Sequence, residues 1–573
     1  MTEKRNITGA EALLLSLLEE GVTDLFGYPG GAIIPLYDKL YDYTDRLNHI
    51  LTRHEQGAVH AAQGYARATG RVGVCMATSG PGATNLITGI ADAMVDSTPL
   101  VCITAQVAAS LLGTDAFQEA DIISMTIPVT KWNHQVTSAA ELPETIAKAF
   151  YIARTGRPGP VVIDITKNAQ TEILDSFVYT PCTGLRSYLP EPEVRDEAVA
   201  RAVELIDASR RPLMITGQGV MLSGGEAEAA RLAERCAIPV ATTLMGLSAV
   251  PTSHPLFVGR VGMHGNVAAN EMTQQADLLI AVGMRFSDRV TGDVSHYAPN
   301  ARIIHIDIDA AEHGKIVKPD VSICGDARKA LSALADKAAP RAERREWMET
   351  AREAYERERR YVIDGCISPA EGDITMGEAV DKVASVCGGE AIIVTDVGQH
   401  QMFASRYSRL NRPRSFITSG GLGTMGFGLP AAIGAKVGCP DREVVLFVGD
   451  GGLQMTVQEL GTVMQSGIAV KIAVLDNGYL GMVRQWQQLF FESRYSFTSL
   501  ADPDFTILAS AYGIASRRVS ARDSLEEAVR EMLAHDGPYL LDIAVEREGN
   551  VFPMVPAGKS ISNLIFSELN DGQ

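Results

Sequence analysis

Two polar clusters near the end of the chain follow apolar runs and could bind a metal ion. Residues 444–448 lead into Gly449-Asp450-Gly451-Gly452, and residues 472–475 lead into Asp476-Asn477-Gly478. If both runs are parallel strands, the clusters share one edge of a sheet, where glycines let backbone amides approach phosphate. A carboxylate and an amide oxygen are too few for a Ca²⁺ cage, but they suit Mg²⁺, whose other ligands are commonly phosphate oxygens and water. The sequence therefore predicts that Asp450 and Asn477 hold Mg²⁺ on a diphosphate ligand.

The elements that must position these clusters alternate regularly along the chain. Short β-branched runs are followed by longer amphipathic stretches, which is typical of parallel sheets covered by helices on both faces. The predicted strands are residues 72–76, 100–104, 161–165, 213–216, 278–282, 303–308, 392–395, 444–448 and 472–475. The sequence therefore predicts an α/β protein with doubly wound, mainly parallel sheets.

Two stretches interrupt this alternation. Residues 176–193 collect three prolines and a glycine, which predicts a linker over the surface. Residues 341–360 are rich in Arg and Glu, which predicts a solvated helix with i,i+4 ion pairs. We therefore expect three doubly wound domains, followed by a C-terminal tail. The expected boundaries are 1–178, 193–340, 368–550 and, for the tail, 551–573.

The composition argues against several classes of protein. The 573 residues carry a formal net charge of −18, so the overall field repels phosphate backbones and anionic membranes, and we expect no nucleic-acid or membrane partner. The chain has no apolar run of about 18 residues and no signal-like start, which predicts a cytoplasmic protein. The eight cysteines are scattered without a Cys-x-x-Cys pair, so neither a zinc site nor a disulfide framework is expected.

The spacing of the two polar clusters resembles a known cofactor motif. Gly-Asp-Gly alone is as typical of a turn as of a metal site. An Asn twenty-seven residues after Asp450, at the next strand end, resembles the thiamine-diphosphate motif. The resemblance implies that the backbone carbonyl of Tyr479 is a third metal ligand beside Asp450 and Asn477. It also implies that Gly398-Gln399-His400 lies by the diphosphate and that Met425 bends the cofactor by lying between its two rings.

A thiamine cofactor requires an acid elsewhere in the chain. Its pyrimidine N1′ must be held by an acidic group that promotes the imino tautomer, which removes the C2 proton. Glu55 opens a helix rich in small residues and is the candidate; considered alone, it could be an ordinary first-turn acid favoured by the helix dipole. Glu55 and the diphosphate loops belong to different domains. The resemblance therefore implies at least a homodimer, in which each site takes its glutamate from the other chain.

Further motifs narrow the resemblance to one family. They are Phe26-Gly27-Tyr28-Pro29-Gly30-Gly31-Ala32, Arg53-His54-Glu55-Gln56, Thr78-Ser79-Gly80-Pro81-Gly82-Ala83-Thr84-Asn85, Ala116-Phe117-Gln118-Glu119, Gly156-Arg157-Pro158-Gly159-Pro160, Gly262-Met263-His264-Gly265 and Gly481-Met482-Val483-Arg484-Gln485-Trp486-Gln487. The chain resembles the catalytic subunit of the biosynthetic acetohydroxyacid synthases (acetolactate synthases). This implies decarboxylation of pyruvate and transfer of the hydroxyethyl unit to a second pyruvate or to 2-oxobutyrate. It leaves open whether a small regulatory subunit binds.

The resemblance also implies roles for single residues. The expected catalytic residues are Glu55, Gly31, Gln118 and Lys167. The expected substrate contacts are Phe117, Met482 and Trp486. Further expected thiamine diphosphate contacts are Pro81, Asn85, Gly423, Gly449, Gly451, Gly452, Leu480, Gly481 and Met482. Two motifs depart from the family. This chain has Thr166-Lys167-Asn168 where the family usually has Pro-Lys-Asp, and it has Asp476-Asn477 where Asn-Asn is commoner. The alternative for Lys167 is an exposed lysine after a strand.

The middle segment contains an incomplete dinucleotide turn. Met214-Ile215-Thr216-Gly217-Gln218-Gly219 lacks the third glycine of G-x-G-x-x-G, because Leu222 stands there. By family resemblance this domain binds FAD, and since the reaction has no net redox step, the flavin is expected to be structural. The expected FAD contacts are Arg157, Gly217, Gly219, Thr243, Leu244, Met263, His264, Gly283, Arg285, Asp307 and Asp326.

Two alternatives compete with the synthase interpretation. One is a thiamine- and FAD-dependent pyruvate oxidase, in which the flavin removes electrons after decarboxylation. The other is a scaffold or regulatory protein that keeps the fold without cofactors, which an intact set of Glu55, Asp450 and Asn477 disfavours.

Overall fold

The computed structural model describes residues 4–567, and it contains three parallel sheets of six strands each. This confirms the predicted α/β class with three doubly wound units. The expected domain borders that fall on residues 1–3 and 568–573 lie outside the described residues. Within 4–567, no helix combines the length and apolar composition needed to cross a membrane.

The first unit carries a central sheet and a small antiparallel ribbon. Its strands are β1 (Lys4–Thr8), β2 (Asp24–Tyr28), β3 (Asn48–Leu51), β4 (Gly73–Ala77), β5 (Leu100–Gln106), β6 (Trp132–Val136), β7 (Pro160–Thr166) and β8 (Ile173–Phe177). Its helices are α1 (Gly9–Glu19), α2 (Ile34–Leu40), α3 (Glu55–Thr69), α4 (Pro81–Thr84), α5 (Ile87–Val95), α6 (Ile122–Thr126), α7 (Leu142–Arg154) and α8 (Lys167–Thr171). The sheet order is β3-β2-β4-β5-β7-β6, and β1 pairs with β8.

The middle unit has the strand order of a dinucleotide-binding fold. Its strands are β9 (Pro212–Thr216), β10 (Val240–Thr242), β11 (Phe257–Arg260), β12 (Leu278–Val282), β13 (Arg302–Asp307) and β14 (Val321–Cys324). Its helices are α9 (Asp196–Ala208), α10 (Gln218–Leu222), α11 (Glu226–Cys236), α12 (Val267–Gln275), α13 (Asp288–Thr291) and α14 (Ala327–Lys337). The order β11-β10-β9-β12-β13-β14 reverses between β9 and β12, and ligands bind at such reversals.

The third unit repeats the strand order of the first. Its strands are β15 (Ile392–Thr395), β16 (Phe416–Ile417), β17 (Val444–Gly449), β18 (Lys471–Asp476), β19 (Ala515–Val519) and β20 (Tyr539–Ala544). Its helices are α17 (Met376–Cys387), α18 (Gln399–Tyr407), α19 (Gly428–Gly438), α20 (Asp450–Met455), α21 (Leu460–Ser466), α22 (Gly481–Phe490), α23 (Phe505–Ala511) and α24 (Leu525–Ala534). The order β16-β15-β17-β18-β20-β19 reverses between β15 and β17.

The first and third units pack through α3 and α19, which share one buried apolar core. The two helices approach so closely because glycines lie at the contact. A Cβ on Gly64 would lie 1.9 Å from the carbonyl oxygen of Ala431, and a Cβ on Gly434 would lie 1.8 Å from that of Ala61. Only glycine fits these positions in this arrangement, so small residues in both helices fix the position of one unit against the other.

The Arg- and Glu-rich stretch forms α15 (Arg345–Glu358), a π-helical turn (Arg359–Ile363) and α16 (Asp364–Ile367). The predicted helix is confirmed, but it is solvated on only part of its surface, because Trp347, Ala351, Ala354 and Glu358 are buried. Trp347 is buried in the core of the middle unit, and Glu358 is completely buried against Arg406. The ion pairs of Arg352 and Arg359 with helix neighbours have i,i+3 spacing rather than i,i+4. One face of the helix thus packs in the core. The many charged residues of the segment gave no indication of this in the sequence.

Candidate active site

The diphosphate-type cluster lies where the third sheet reverses its strand order. Asp450 is the first residue of α20, and its carboxylate accepts hydrogen bonds from the amides of Gly451 and Gly478, each at 2.7 Å. Asn477 follows β18, and its Oδ1 accepts from the amide of Tyr479 at 3.2 Å. The structure thus brings Asp450 and Asn477 to one crevice, at the strand ends where the sequence places them.

This crevice collects the predicted thiamine diphosphate contacts of the third unit except Gly423, which lines the large cavity instead. Its lining includes Gly398, Gln399, His400, Met425, Gly449, Asp450, Gly451, Gly452, Asn477, Tyr479, Leu480, Gly481 and Met482. These residues come from four loops that are far apart in sequence. The lining therefore depends on the parallel sheet, whose strand ends assemble the loops.

The crevice is acidic at one end and carries a free ring nitrogen. Burial, with Asp502 adding repulsion, raises the pKa of Asp450 to about 7. Oxygens of Asp450, Asp476 and Asp502 lie within 4.8 Å of one another. Burial lowers the pKa of His400 to about 4, so this ring is neutral near pH 7. Its buried Nε2 has no hydrogen-bond partner among the residues that the structure describes. Crowded carboxylates and an unused imidazole nitrogen fit a divalent cation beside an anionic ligand.

A second, much larger cavity of about 1160 Å³ opens at the strand reversal of the middle sheet. Pockets for drug-sized ligands are roughly 300–1,000 Å³, so this one suits a large cofactor. The predicted FAD contacts on its wall are Arg157, Gly219, Thr243, Leu244, Met263, His264, Gly283, Arg285, Asp307 and Asp326. Gly217 is the exception, because it packs against Gly283 and Met284 behind the described wall.

Arg157 on this wall is paired with carboxylates, and burial shifts the pKa of two other charged groups. Arg157 forms ion pairs with Asp309 at 3.2 Å and Glu312 at 3.0 Å. Burial raises the pKa of Asp307 to about 6, and burial with the nearby Arg406 lowers the pKa of Arg260 to about 9. Arg157 can therefore exchange its carboxylate partners for the phosphate oxygens of a ligand.

The sequence analysis missed several wall residues. They are Gln218, Arg260, Arg289 and Gln401. Gln218 stands between the two glycines of the incomplete dinucleotide turn and could have been found from that motif. For Arg260, Arg289 and Gln401 we find no local signal.

The large cavity and the diphosphate crevice share a wall. Met425 and Met482 line both, together with Gly398. Gly423 and Trp486 line the large cavity, where the Trp486 ring packs against Phe490 with centroids 5.0 Å apart. A molecule bound in either cavity can thus contact the Met425 loop, which forms the wall between the two cavities.

Asp396, which the sequence analysis did not single out, holds this loop. Its buried carboxylate accepts from the amides of Gly426 at 3.1 Å and Gly428 at 2.7 Å. Burial raises its pKa to about 6. Asp396 therefore fixes the end of the loop that follows Met425.

The Glu55 cluster lies apart from both cavities. Glu55 is the first residue of α3 and is 9% exposed. Its Oε2 accepts from Asn85 Nδ2 at 2.9 Å, and its Oε1 faces Gly82, just after Pro81. Within residues 4–567, neither Glu55 nor Asn85 lines either cavity. One chain therefore does not bring Glu55 to the diphosphate crevice.

The remaining predicted residues of the first unit surround this cluster or lie at the surface. The backbone of Gln118 packs against Gly80, and Gln118 itself has a φ of +60°. Gly31 and Lys167 are exposed, and Phe117 is 88% exposed. The structure gives Lys167 no contact with either cavity, as for an exposed lysine after a strand.

Glu459 connects the third unit to the Glu55 cluster and was also missed. Its completely buried carboxylate accepts from the amide of Arg53 at 3.1 and 3.2 Å, and from the hydroxyl of Thr462 at 2.6 Å. A Cβ on Gly57 would lie 2.3 Å from its Oε1. Glu459 thus holds the segment that leads into Glu55.

Sequence comparisons agree with this arrangement of three units. Residues 7–125 match the thiamine pyrophosphate enzyme N-terminal TPP binding domain, residues 199–334 the central domain and residues 396–543 the C-terminal TPP binding domain. The acetolactate synthase large subunit of Corynebacterium glutamicum is 47% identical, over 98% of this chain and 90% of its own length.

The chain belongs to the acetolactate synthase large-subunit family. The probable acetolactate synthase large subunit of Methanocaldococcus jannaschii is 47% identical, over 97% of this chain and 95% of its own length. The isozyme 2 large subunit of Escherichia coli is 45% identical, over 98% of this chain and 99% of its own length. The protein is therefore a thiamine-pyrophosphate-dependent enzyme of the acetolactate synthase type, and this confirms the predicted family over the oxidase and the cofactor-free scaffold.

Proposed function

We propose that the chain condenses two molecules of pyruvate to 2-acetolactate with loss of CO₂, and also joins pyruvate to 2-oxobutyrate to give 2-aceto-2-hydroxybutyrate. These are steps of branched-chain amino-acid synthesis. The observation that carries the proposal is the shared wall: Met425 stands between the Asp450–Asn477 crevice and the large cavity. This geometry occurs in a chain that is similar over almost its whole length to acetolactate synthase large subunits.

Three groups would be held by the residues of these sites. Asp450, Asn477 and the carbonyl of Tyr479 would hold Mg²⁺, since the buried carboxylate and its acidic neighbours favour a divalent cation. The unpartnered Nε2 of His400 would lie beside the diphosphate. Arg157 and Arg285 would pair with the diphosphate of FAD in the large cavity, and Asp307 would accept from a ribose hydroxyl.

Bound thiamine diphosphate supplies a nucleophilic carbon and an electron sink for decarboxylation. The protein supplies proton transfer and position. Glu55 would hold a proton at the aminopyrimidine of the bound cofactor, and its bond from Asn85 orients the carboxylate. Gln118 binds polar groups of the keto acid, while Gly31 leaves open space for it. Lys167 would bind the substrate carboxylate.

The separation of Glu55 from the crevice supports a homodimer. The Glu55 cluster borders exposed residues such as Phe117 and Gly31, and Met425 and Asp450 lie in a different unit. A second copy placed with its crevice against this surface would complete two sites by the same two-fold contact. We propose that each active site consists of Glu55 from one chain and Asp450 from the other.

The remaining parts of the proposal concern substrate choice and partners. The Trp486 ring on the cavity wall, with Met482 and Phe117, would contact the second keto acid. One extra methylene on that substrate is worth about 1–3 kcal/mol. Since the relatives are named large subunits, a small regulatory subunit is the expected partner in the cytoplasm.

The deciding experiment is a product assay with purified full-length protein. We expect acetolactate from pyruvate when thiamine diphosphate, Mg²⁺ and FAD are present, and none without thiamine diphosphate. Competing pyruvate and 2-oxobutyrate gives the substrate preference. Stopped-flow spectra provide the control: flavin bleaching by pyruvate at the turnover rate, without acetolactate, would show an oxidase and refute the proposal.

A further inference from the structure

Two buried carboxylates of the first unit contact the loop that carries Met425. Asp92 lies in α5, and Asp96 caps the end of the same helix one turn later. Their side chains are 0% and 1% exposed. Asp92 accepts hydrogen bonds from the hydroxyls of Ser419 and Thr424, the latter at 2.9 Å. A carboxylate of one unit thus joins both ends of a short loop in another unit.

Asp96 holds the middle of the same loop by its backbone. It accepts from the amide of Gly420 at 2.9 Å and from the amide of Gly421 at 2.8 Å. Arg67 lies beside both acids, with Nη2 3.0 Å from Asp96 and 3.5 Å from Asp92. The Arg67 guanidinium also donates to a backbone carbonyl at the start of the loop. Two carboxylates and one guanidinium therefore meet the loop with five hydrogen bonds.

The charge balance of this cluster makes these bonds necessary. Two carboxylates share one guanidinium, so one negative charge is buried without a full ionic partner. Burial raises the pKa of Asp96, and the neighbouring Asp92 acts in the same direction. A buried charge is stable only where hydrogen bonds replace its hydration. The donors of residues 419–424 fill that requirement, so the acids and the loop stabilise each other.

The loop needs such a restraint because it is rich in glycine. Residues 419–426 contain four glycines, which lose more conformational entropy on ordering than other residues. Residues 419–423 and Met425 line the large cavity, and Met425 also lines the diphosphate crevice. Asp396 fixes the other end of the loop. The common wall of the two cavities is thus fixed by carboxylates on both sides of Met425.

We propose that Asp92 and Asp96 are positioning residues for cofactor binding: from the first unit they fix the 419–424 loop, so that Met425 stays between the crevice and the large cavity. The inference rests on the proposed function only for the role of Met425 beside the cofactor. Neither acid lines the diphosphate crevice, so both act on thiamine diphosphate through the loop, although Asp96 also lines the large cavity.

The test compares Asp96→Asn with a matched control, Asp277→Asn. Asp277 also accepts from two consecutive backbone amides, those of Arg210 at 2.8 Å and Arg211 at 2.9 Å, but its loop lies away from both cavities. Thiamine diphosphate with Mg²⁺ is titrated into the full-length apo chain by calorimetry, and thermal unfolding is recorded for each variant. We expect Asp96→Asn to weaken cofactor binding by about tenfold, because a hydrogen bond to a charged group is lost from the wall. We expect Asp277→Asn to leave this binding unchanged.

A second variant guards against a folding defect. Thr424→Val removes one hydroxyl donor to Asp92 and leaves the acids in place. It is also expected to weaken thiamine diphosphate binding. For pyruvate, we expect the factor by which kcat falls to be larger than the factor by which KM changes. Wild-type cofactor affinity in both Asp96→Asn and Thr424→Val, at a lowered Tm, would show a merely structural role and overturn the proposal. If wild-type protein makes no acetolactate while these variants still lose cofactor affinity, the proposed function fails and the positioning role stands.

Discussion

The contact between α3 and α19 predicts a large cost for a single methyl group. In Gly434→Ala the new Cβ would lie 1.8 Å from the carbonyl oxygen of Ala61, whereas carbon contacts are normally about 3.5 Å or longer. The helices must therefore separate by roughly 1.5 Å. Overpacking of a core typically costs about 1–3 kcal/mol, and a rigid backbone obstacle places this site near 3 kcal/mol. Since α3 begins at Glu55 and α19 follows the Met425 loop, the same displacement should lower kcat.

Thermal unfolding followed by circular dichroism measures this cost. A loss of about 3 kcal/mol corresponds to a Tm lower by about 6 °C or more for units of this size. Gly365→Ala is the matched control, because Gly365 is helical and its Cβ would meet no heavy atom within 4 Å. Gly64→Ala, on the opposite helix, should behave as Gly434→Ala does. If Gly434→Ala unfolds within about 1 °C of the Gly365→Ala control, the close packing of the two units is refuted.

Three further substitutions test single groups. Glu55→Gln keeps the bond from Asn85 but cannot transfer a proton, so C2 proton exchange of bound thiamine diphosphate, measured by NMR, should fall about 10²–10⁴-fold; unchanged exchange would contradict the assigned role. Glu459→Ala leaves the buried amide of Arg53 without its acceptor and should lower stability by about 1–3 kcal/mol in denaturant titration, with Glu459→Gln retaining most of it. Asp396, whose folded pKa is raised to about 6, binds its proton more tightly in the folded state, so its contribution to stability is lost as pH rises from about 4 to about 6. The stability advantage of wild type over Asp396→Asn should therefore shrink by about 3 kcal/mol across this window. An advantage that grows as the pH rises would contradict the expected pH dependence.

Nine of the twelve interior strands and the ligand-binding loops could be predicted from the sequence. All nine predicted runs are strands, among them β5, β12 and β17, because strands buried on both faces are continuously apolar. The loops with Asp450 and Asn477 were predicted because their glycines and polar residues directly follow such runs. Edge strands were missed: β6 and β19 are half exposed and carry polar residues, so their sequences resemble loops. The interior strands β2, β10 and β20 were missed as well.

The amino-acid sequence by itself determined the local elements of this protein, since periodicity and turn residues act over a few positions. The tertiary structure alone decided which loops of different units meet. Asp92 reaches Ser419 across 327 residues, and Glu459 reaches Arg53 across 406. It also placed Gly217 behind the cavity wall and buried Glu358 in an apparently solvated helix. These contacts have no local signal, because they depend on how three sheets and two glycine-lined helices pack against each other.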